Sequence, residues 1–301
     1  MKKVLFSVLA LVACCTTVCA QSIIDADDQR KPNEFYQKGI VVGKKAMPYP
    51  AVRESDVIWE CVVWRSIDLR EKFNQFFYFP VDEDKNTQGR TNLVNLIVHG
   101  VENGEIPAYE DDDFKKELDP AEAMKFLIGN DVSYEDVATD EDGNVLYDED
   151  GVEIMTMQNK TRTFNKESAN KILLQERWYI DKQDSRQKVR IVGLAFMYMK
   201  EMGDTKESLR DVYTESFWIP MDDMRVRQLL VNANAYDENN DVVERSYDDI
   251  FIQRYFDSYI TRQSNVQNRA LSEYLTGEDA ILQSQAIEDY IFDLESDMWE
   301  Y

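Results

Sequence analysis

Three β-prone segments follow one another at residues 172–180, 189–199 and 212–219, each with β-branched or aromatic side chains in partial alternation. Helical patterns lie outside this block. They fall at 91–101 and 120–128 before it, the second opened by the cap-like Asp119 and Pro120, and at 222–233, 248–261 and the C-terminus after it. This segregation constrains the fold more than any other feature, because alternating strands and crossover helices would intersperse the two patterns. It predicts an α+β fold, with strands in the middle of the chain and helices toward both ends.

The flanks of the block supply further elements. Ser55 reads as the cap of a helix over 57–69 that carries Val57, Ile58, Cys61, Val62 and Arg65. The aromatic run 74–81, closed by Pro80, reads as a short strand. Residues 140–164 read as an inserted hairpin, with β-prone pieces at 145–147 and 152–157 beside the turn sequences Asp142-Gly143-Asn144 and Asp150-Gly151. The core, 52–301, then comprises 52–135, the hairpin, 165–265 and a helical tail, 266–301. Phe77-Tyr78-Phe79-Pro80-Val81-Asp82-Glu83 aligns with Phe217-Trp218-Ile219-Pro220-Met221-Asp222-Asp223, so two related halves and a chance likeness of aromatic segments both stand as explanations.

The N-terminus has the order of a secretory leader: Lys2 and Lys3, an apolar run over 4–13, then Val18-Cys19-Ala20. The run is shorter than the roughly 20 residues that span a bilayer. Cleavage after Ala20 fits the small-residue rule, whereas Leu11-Val12-Ala13-Cys14 fits a lipoprotein box, and the second cut would leave a lipid on Cys14. With residues 1–20 removed, Cys14, Cys15 and Cys19 go too and Cys61 remains alone, so an exported chain would have to hold together by its core rather than by disulfides. Residues 21–51 are polar, with Pro32, Pro48 and Pro50, and read as an extended arm. The leader carries two lysines and no acid, so the mature chain sets 32 basic against 58 acidic side chains, a net charge of −26. Nucleic acid and anionic lipid are poor partners for such a chain.

Catalytic constellations are hard to assemble from these residues. His99 is the one histidine, too few for a triad or a histidine metal site, and Cys61 lies among apolar residues where a thiol behaves as a small hydrophobe. Asp140, Asp142, Gly143 and Glu149 match four positions of a calcium loop, but Ala138 stands where the first ligand belongs, which favours a hairpin tip. No glycine-rich phosphate loop is present, so no cofactor and no metal are expected. Paired carboxylates remain an alternative, that of an exported carbohydrate-active hydrolase, although 58 acids nominate no particular pair.

The most distinctive stretch is Trp64-Arg65-Ser66-Ile67-Asp68-Leu69-Arg70-Glu71-Lys72-Phe73-Asn74, followed by aromatic residues to Pro80. It resembles the signature of the GldN/PorN family of gliding-motility and type IX secretion system proteins, and the resemblance runs from about Asp56 to about Thr261. Membership implies a non-enzymatic ring component of the periplasm, needed for protein secretion. It further implies attachment at the inner face of the outer membrane through a GldK/PorK-type lipoprotein, contact with the periplasmic domain of a GldM/PorM-type motor subunit, and self-association. Ring assembly needs two different surfaces meeting head to tail. The expected interface draws on the signature through Trp64, Arg65, Asp68 and Arg70. In the tail it draws on Ile291, Leu294 and Met298, which with Ile287 and Tyr290 fall on one helical face, where packing back on the domain and docking on a partner are both open.

Overall fold

The computed structural model describes residues 44–81, 90–129, 132–137, 155–160, 162, 164–202, 210–237, 240 and 244–298. The first elements are β1 (Val57–Asp68), α1 (Gln75–Tyr78), α2 (Leu93–Glu102), β2 (Ala108–Tyr109), β3 (Glu117–Leu118) and α3 (Pro120–Ile128). Then come β4 (Val132–Val137), β5 (Met155–Lys160), β6 (Lys171–Asp181), β7 (Arg186–Met202), β8 (Arg210–Glu215) and β9 (Ile219–Pro220). The chain closes with α4 (Met224–Asn232), α5 (Tyr247–Gln253), β10 (Tyr259–Gln263), α6 (Leu271–Tyr274) and α7 (Glu278–Asp297). The fold is α+β, as the segregated patterns imply.

An antiparallel sheet in the order β10-β1-β6-β7-β8, with β9 also on β7, organises the compact unit Lys45–Tyr301. Two of the three β-prone segments are β6 and β7, and the third divides into β8 and β9. Strand β1 is the chief correction to the sequence reading, which made 57–69 a helix. Its apolar residues satisfy helical spacing and strand alternation alike. Five β-branched residues (Val57, Ile58, Val62, Val63 and Ile67) and two tryptophans favour the strand, and β6 supplies a partner ladder eleven pairs long from Val57↔Asp181 to Asp68↔Lys171. Alternate residues Cys61, Val63, Arg65 and Ile67 are all buried on one face.

The aromatic run is corrected in the opposite sense. Lys72–Asn74 is a 3-10 turn and Gln75–Tyr78 a helical turn, not a strand. Tertiary contacts set this. Phe77 is fully buried with its ring 5.4 Å from Phe251 and 6.1 Å from Tyr247. Phe217–Pro220 is extended instead, so the two aligned aromatic segments differ in conformation. Residues 248–261 also divide, into the end of α5 and the start of β10. Arg254, in the left-handed region at φ 52°, turns the chain between them. Strand β5 overlaps the expected β-prone piece at 152–157, but its partner in the ladder Val132↔Lys160 to Val137↔Met155 is β4, which lies before the expected hairpin's start at 140. The hairpin's other expected piece at 145–147 and the calcium-like tip lie outside the described residues.

The face of β1 and β6 that carries Ile67, Ile172 and Leu174 packs on α2, α4 and α5, where Leu93, Ile97, Val226, Leu230 and Ile250 are buried. Each such side chain contributes about 1.5–3 kcal/mol on leaving water. Caps fix the ends: the Asn92 carboxamide oxygen accepts from Asn95 N–H at 2.7 Å, and Ser246 Oγ accepts from Asp249 N–H at 3.2 Å. The opposite sheet face carries Leu173, Ala195 and Trp218, joined by Trp64, Tyr109 and Phe114. Gly193 permits this, since a Cβ there would stand 2.6 Å from the Phe114 ring.

Between two apolar clusters on the first face lies a buried ionic joint. Glu176 is fully buried and takes Arg254 on both oxygens, at 2.6 and 3.2 Å; Arg65 Nε lies 3.2 Å away and Trp178 Nε1 donates at 3.0 Å. Arg65 continues to Glu288 on α7 at 2.8 Å and to Ser258 at 3.3 Å. A second tie holds α4 to α5, where Arg227 grips Asp248 through two bonds of 3.0 and 2.9 Å. The same guanidinium donates to Met47 O and lies 4.3 Å over the Tyr49 ring, so residues 46–50 at the end of the expected arm are bound to the core. Replacing Glu176 by Gln leaves the buried Arg65 and the half-buried Arg254 facing an amide. The expected loss is about 3–5 kcal/mol, read from urea unfolding midpoints.

Candidate functional site

The seven expected interface residues do not form one surface. Arg65 is buried in the ionic joint. Ile291 is buried with Ile287 against Cys61, Val63, Ile260 and Leu271, while Leu294 and Met298 are half-buried on the same side of α7. The tail therefore packs back on the domain through the face once open to either role. Trp64 lies on the opposite side of the sheet. The Arg262 guanidinium stacks 3.6 Å above its ring and pairs with Asp112. Asp68 and Arg70 form a pair at the end of β1, with bonds of 2.9 and 2.6 Å, and Arg70 is exposed.

Two concave features lie elsewhere, and the sequence reading named neither. One is a groove of 750 Å³ walled by Phe73, Phe76, Phe79, Tyr236 and Tyr255, with Lys72 and Arg245 at its rim. Phe73 and Tyr255 rings meet at 4.8 Å, and Arg245 lies 4.2 Å over Tyr255. The other is a cleft of 630 Å³ between β10 and α7, lined by Tyr259, Ile260, Leu271, Ile281 and Ser284. The aromatic run and Tyr255 carried a signal for the first, but they meet only through folding. For the second, Ile281 was the one large apolar tail residue off the buried stripe that could have signalled it.

The acid in the first groove is Asp237, and in the second it is Glu288, already paired with Arg65. Carboxyls pushed above their usual range are Glu71, by burial and by Asp257, and Glu215, by burial against the opposing pull of Arg262. They sit in different elements and neither lines a groove, so an acid and base pair is not assembled there. Among the described residues, no cluster of three His, Cys, Asp or Glu could hold a metal ion, and no helix is long and apolar enough to cross a membrane. His99 is half-exposed, 3.5 Å from Glu102 and 3.2 Å from Lys166 Nζ.

The chain matches the family described as Gliding motility associated protein GldN over residues 52–300, from the approach to β1 to just past α7. It belongs to the GldN family. No curated protein matches it.

Arg65 enters the ionic joint and Ile67 the main core. Asp68 accepts from Arg70 N–H at 3.0 Å as well as from its guanidinium, folding the chain back at the strand end. Asn74, fully buried, has its Nδ2 3.0 Å from Asp68 O, Glu71 Oε2 and Asp257 O, and accepts from Asp257 N–H at 3.0 Å. These residues lock the turn after β1 to the approach of β10. The signature of this GldN-family chain is thus mainly a joint inside the fold, with Arg70 and Lys72 at its surface.

The Arg70 guanidinium holds the Asp68 carboxyl below its ordinary value, so ionised Asp68 stabilises the fold above the unfolded value of about 3.9 and loses that contribution as pH falls through its lower folded value. Asp68→Asn is therefore expected to lower the urea midpoint at pH 7, with the gap to the parent closing as pH falls below about 4 and through the lowered folded value. Ile287→Ala opens the cluster over Cys61. It is expected to cost about 2–4 kcal/mol and to speed reaction of the Cys61 thiol with a chromogenic disulfide.

Proposed function

We propose that this chain is a non-catalytic ring component of the type IX secretion and gliding machinery. It works in the periplasm at the inner face of the outer membrane, held by a GldK/PorK-type lipoprotein and meeting the periplasmic domain of a GldM/PorM-type motor subunit. The observation that carries the reading is the GldN family match over 52–300. The internal use of the signature supports it, because side chains spent on holding a turn and a buried joint are what an assembly module needs. The strongly acidic surface supports a protein partner over nucleic acid or anionic lipid. Cleavage after Ala20 leaves no anchor on the chain itself, which gives the lipoprotein its role.

The test is deletion of the gene in its native host, complemented by a tagged copy. Deletion is expected to abolish spreading of colonies and release of secreted cargo, and the tagged chain is expected to co-purify with a GldK/PorK-type lipoprotein. Its mature mass is expected to start at Gln21. Normal cargo release in the deletion strain would sink the reading, and a lipid on Cys14 would remove the need for the lipoprotein as anchor.

A further inference from the structure

Exposed aromatic side chains of this fold converge in one concavity. Phe73, Tyr255 and Phe79 are 46%, 41% and 38% exposed, and all three line the groove of 750 Å³ beside α1. Phe76 lies 6.4 Å from Phe73 and 6.0 Å from Tyr255, so these rings form one continuous wall rather than scattered exposure. The wall is tied to the core on both sides. Asn74 and Phe77 pin the turn that carries Phe73 and Phe76, through Asp257 and the Phe251 ring. Tyr255 N–H donates to Ile250 O at 2.9 Å, and Ala235 N–H to Arg245 O at 2.9 Å. A partner would meet a surface already formed, with little ordering entropy to lose on this side.

The polar groups of the lining narrow the occupant. Lys72, Gln75, Tyr236, Arg245 and Tyr255 all carry donors, against one carboxylate, Asp237. Among the described residues neither Lys72 nor Arg245 has an ion-pair partner, so the groove is donor-rich and positive in balance within a chain of formal net charge −24. A helix closes its own carbonyls and would leave these donors unpaired. Strand addition needs a sheet edge, and none of the lining residues lies in a strand. A polyproline II segment makes no internal hydrogen bonds, turns its carbonyls outward and sets prolines against aromatic rings. It satisfies the donors and the rings together. A second copy of this chain has no such segment to give. Pro48 and Pro50 flank Tyr49, whose ring is already held between Arg190 and Arg227 at 5.0 and 4.3 Å, and the remaining prolines stand singly.

We propose that this groove is the docking site for a proline-rich segment of a partner protein, with prolines against Phe73, Phe79 and Tyr255 and flanking acidic residues on Lys72 and Arg245. This goes beyond the ring reading and stands on the groove alone.

The experiment uses the mature chain, residues 21–301, and labelled synthetic peptides of equal length: polyproline with Glu at both ends, the same peptide with Ala in place of Pro, and polyproline with Lys at both ends. By fluorescence anisotropy the Glu-flanked polyproline is expected to bind at least about tenfold more tightly than either of the others. Phe73→Ala is expected to weaken it at least about tenfold, and Lys72→Glu to weaken it and flatten its salt dependence. Tyr255→Phe removes a donor and keeps the ring, and is expected to weaken binding about threefold. Ile281→Ala, in the other cleft, is expected to leave affinity unchanged. Urea midpoints equal to the parent's establish that the variants are folded, and Lys72→Glu, at an exposed residue, decides the matter if Phe73→Ala lowers its own. Equal binding of the Pro and Ala peptides, or parent affinity in folded Phe73→Ala or Lys72→Glu, overturns the proposal. So does tighter binding of an amphipathic Leu and Glu helix peptide, or a dimer of the parent that Phe73→Ala dissolves in sedimentation. Each of these outcomes leaves the ring reading intact.

Discussion

Glu176 is a carboxylate removed from water in the middle of a sheet, and the arrangement around it depends on its being satisfied. Two guanidiniums and an indole N–H surround it, from β1, from the turn after α5 and from its own strand. Arg65 then carries the joint on to α7 through Glu288. Burying such charges is costly, and their mutual attraction offsets the cost only when each is placed correctly. The joint therefore specifies position more than it adds stability. Val63 stands opposite Glu176 in the ladder; a one-residue slip of β1 would bring Val62 or Trp64 there and turn Arg65 toward the other face.

The joint also divides the sheet face into two apolar regions with different roles. Toward Ile67 and Leu174 the sheet meets the helices of the main core. Toward Cys61 and Val63 it meets only the C-terminal helix and Leu271. The second region is small, and its closure depends on one helix packed from one side. That is why α7 can belong to the fold and still offer a full outer face.

The signature stretch is consequently mostly interior, with Arg70, Lys72 and Phe73 at the surface. The stretch Trp64–Asn74 identifies the family, yet Arg65, Ile67 and Asn74 are interior and Asp68 holds the turn. A surface that meets partners is under different demands: it must be exposed, held rigid and complementary in charge. The aromatic groove at Phe73 meets the first demand, and α7 carries exposed side chains on a helix that the domain holds in place.

Length, charge, the single histidine and the succession of β-prone segments were legible directly, because each is a property of composition or of local period. So were α2, α3, α4 and the C-terminal helix, whose apolar spacing is local, with side-chain caps at Asn92 for α2 and Asp223 for α4. The misread elements share a cause. Over 57–69 two periods fitted equally well, and the ladder with β6, more than a hundred residues away, chose between them. Over 74–81 the aromatic residues favoured a strand locally, but Phe77 had to reach Tyr247 and Phe251, and Asn74 had to reach Asp257. The sequence by itself determined the α+β class, the acidity and, through its signature, the family. Only the tertiary structure decided which apolar and charged residues are interior, because burial of Arg65 or exposure of Phe292 depends on partners distant in the chain that no local pattern encodes.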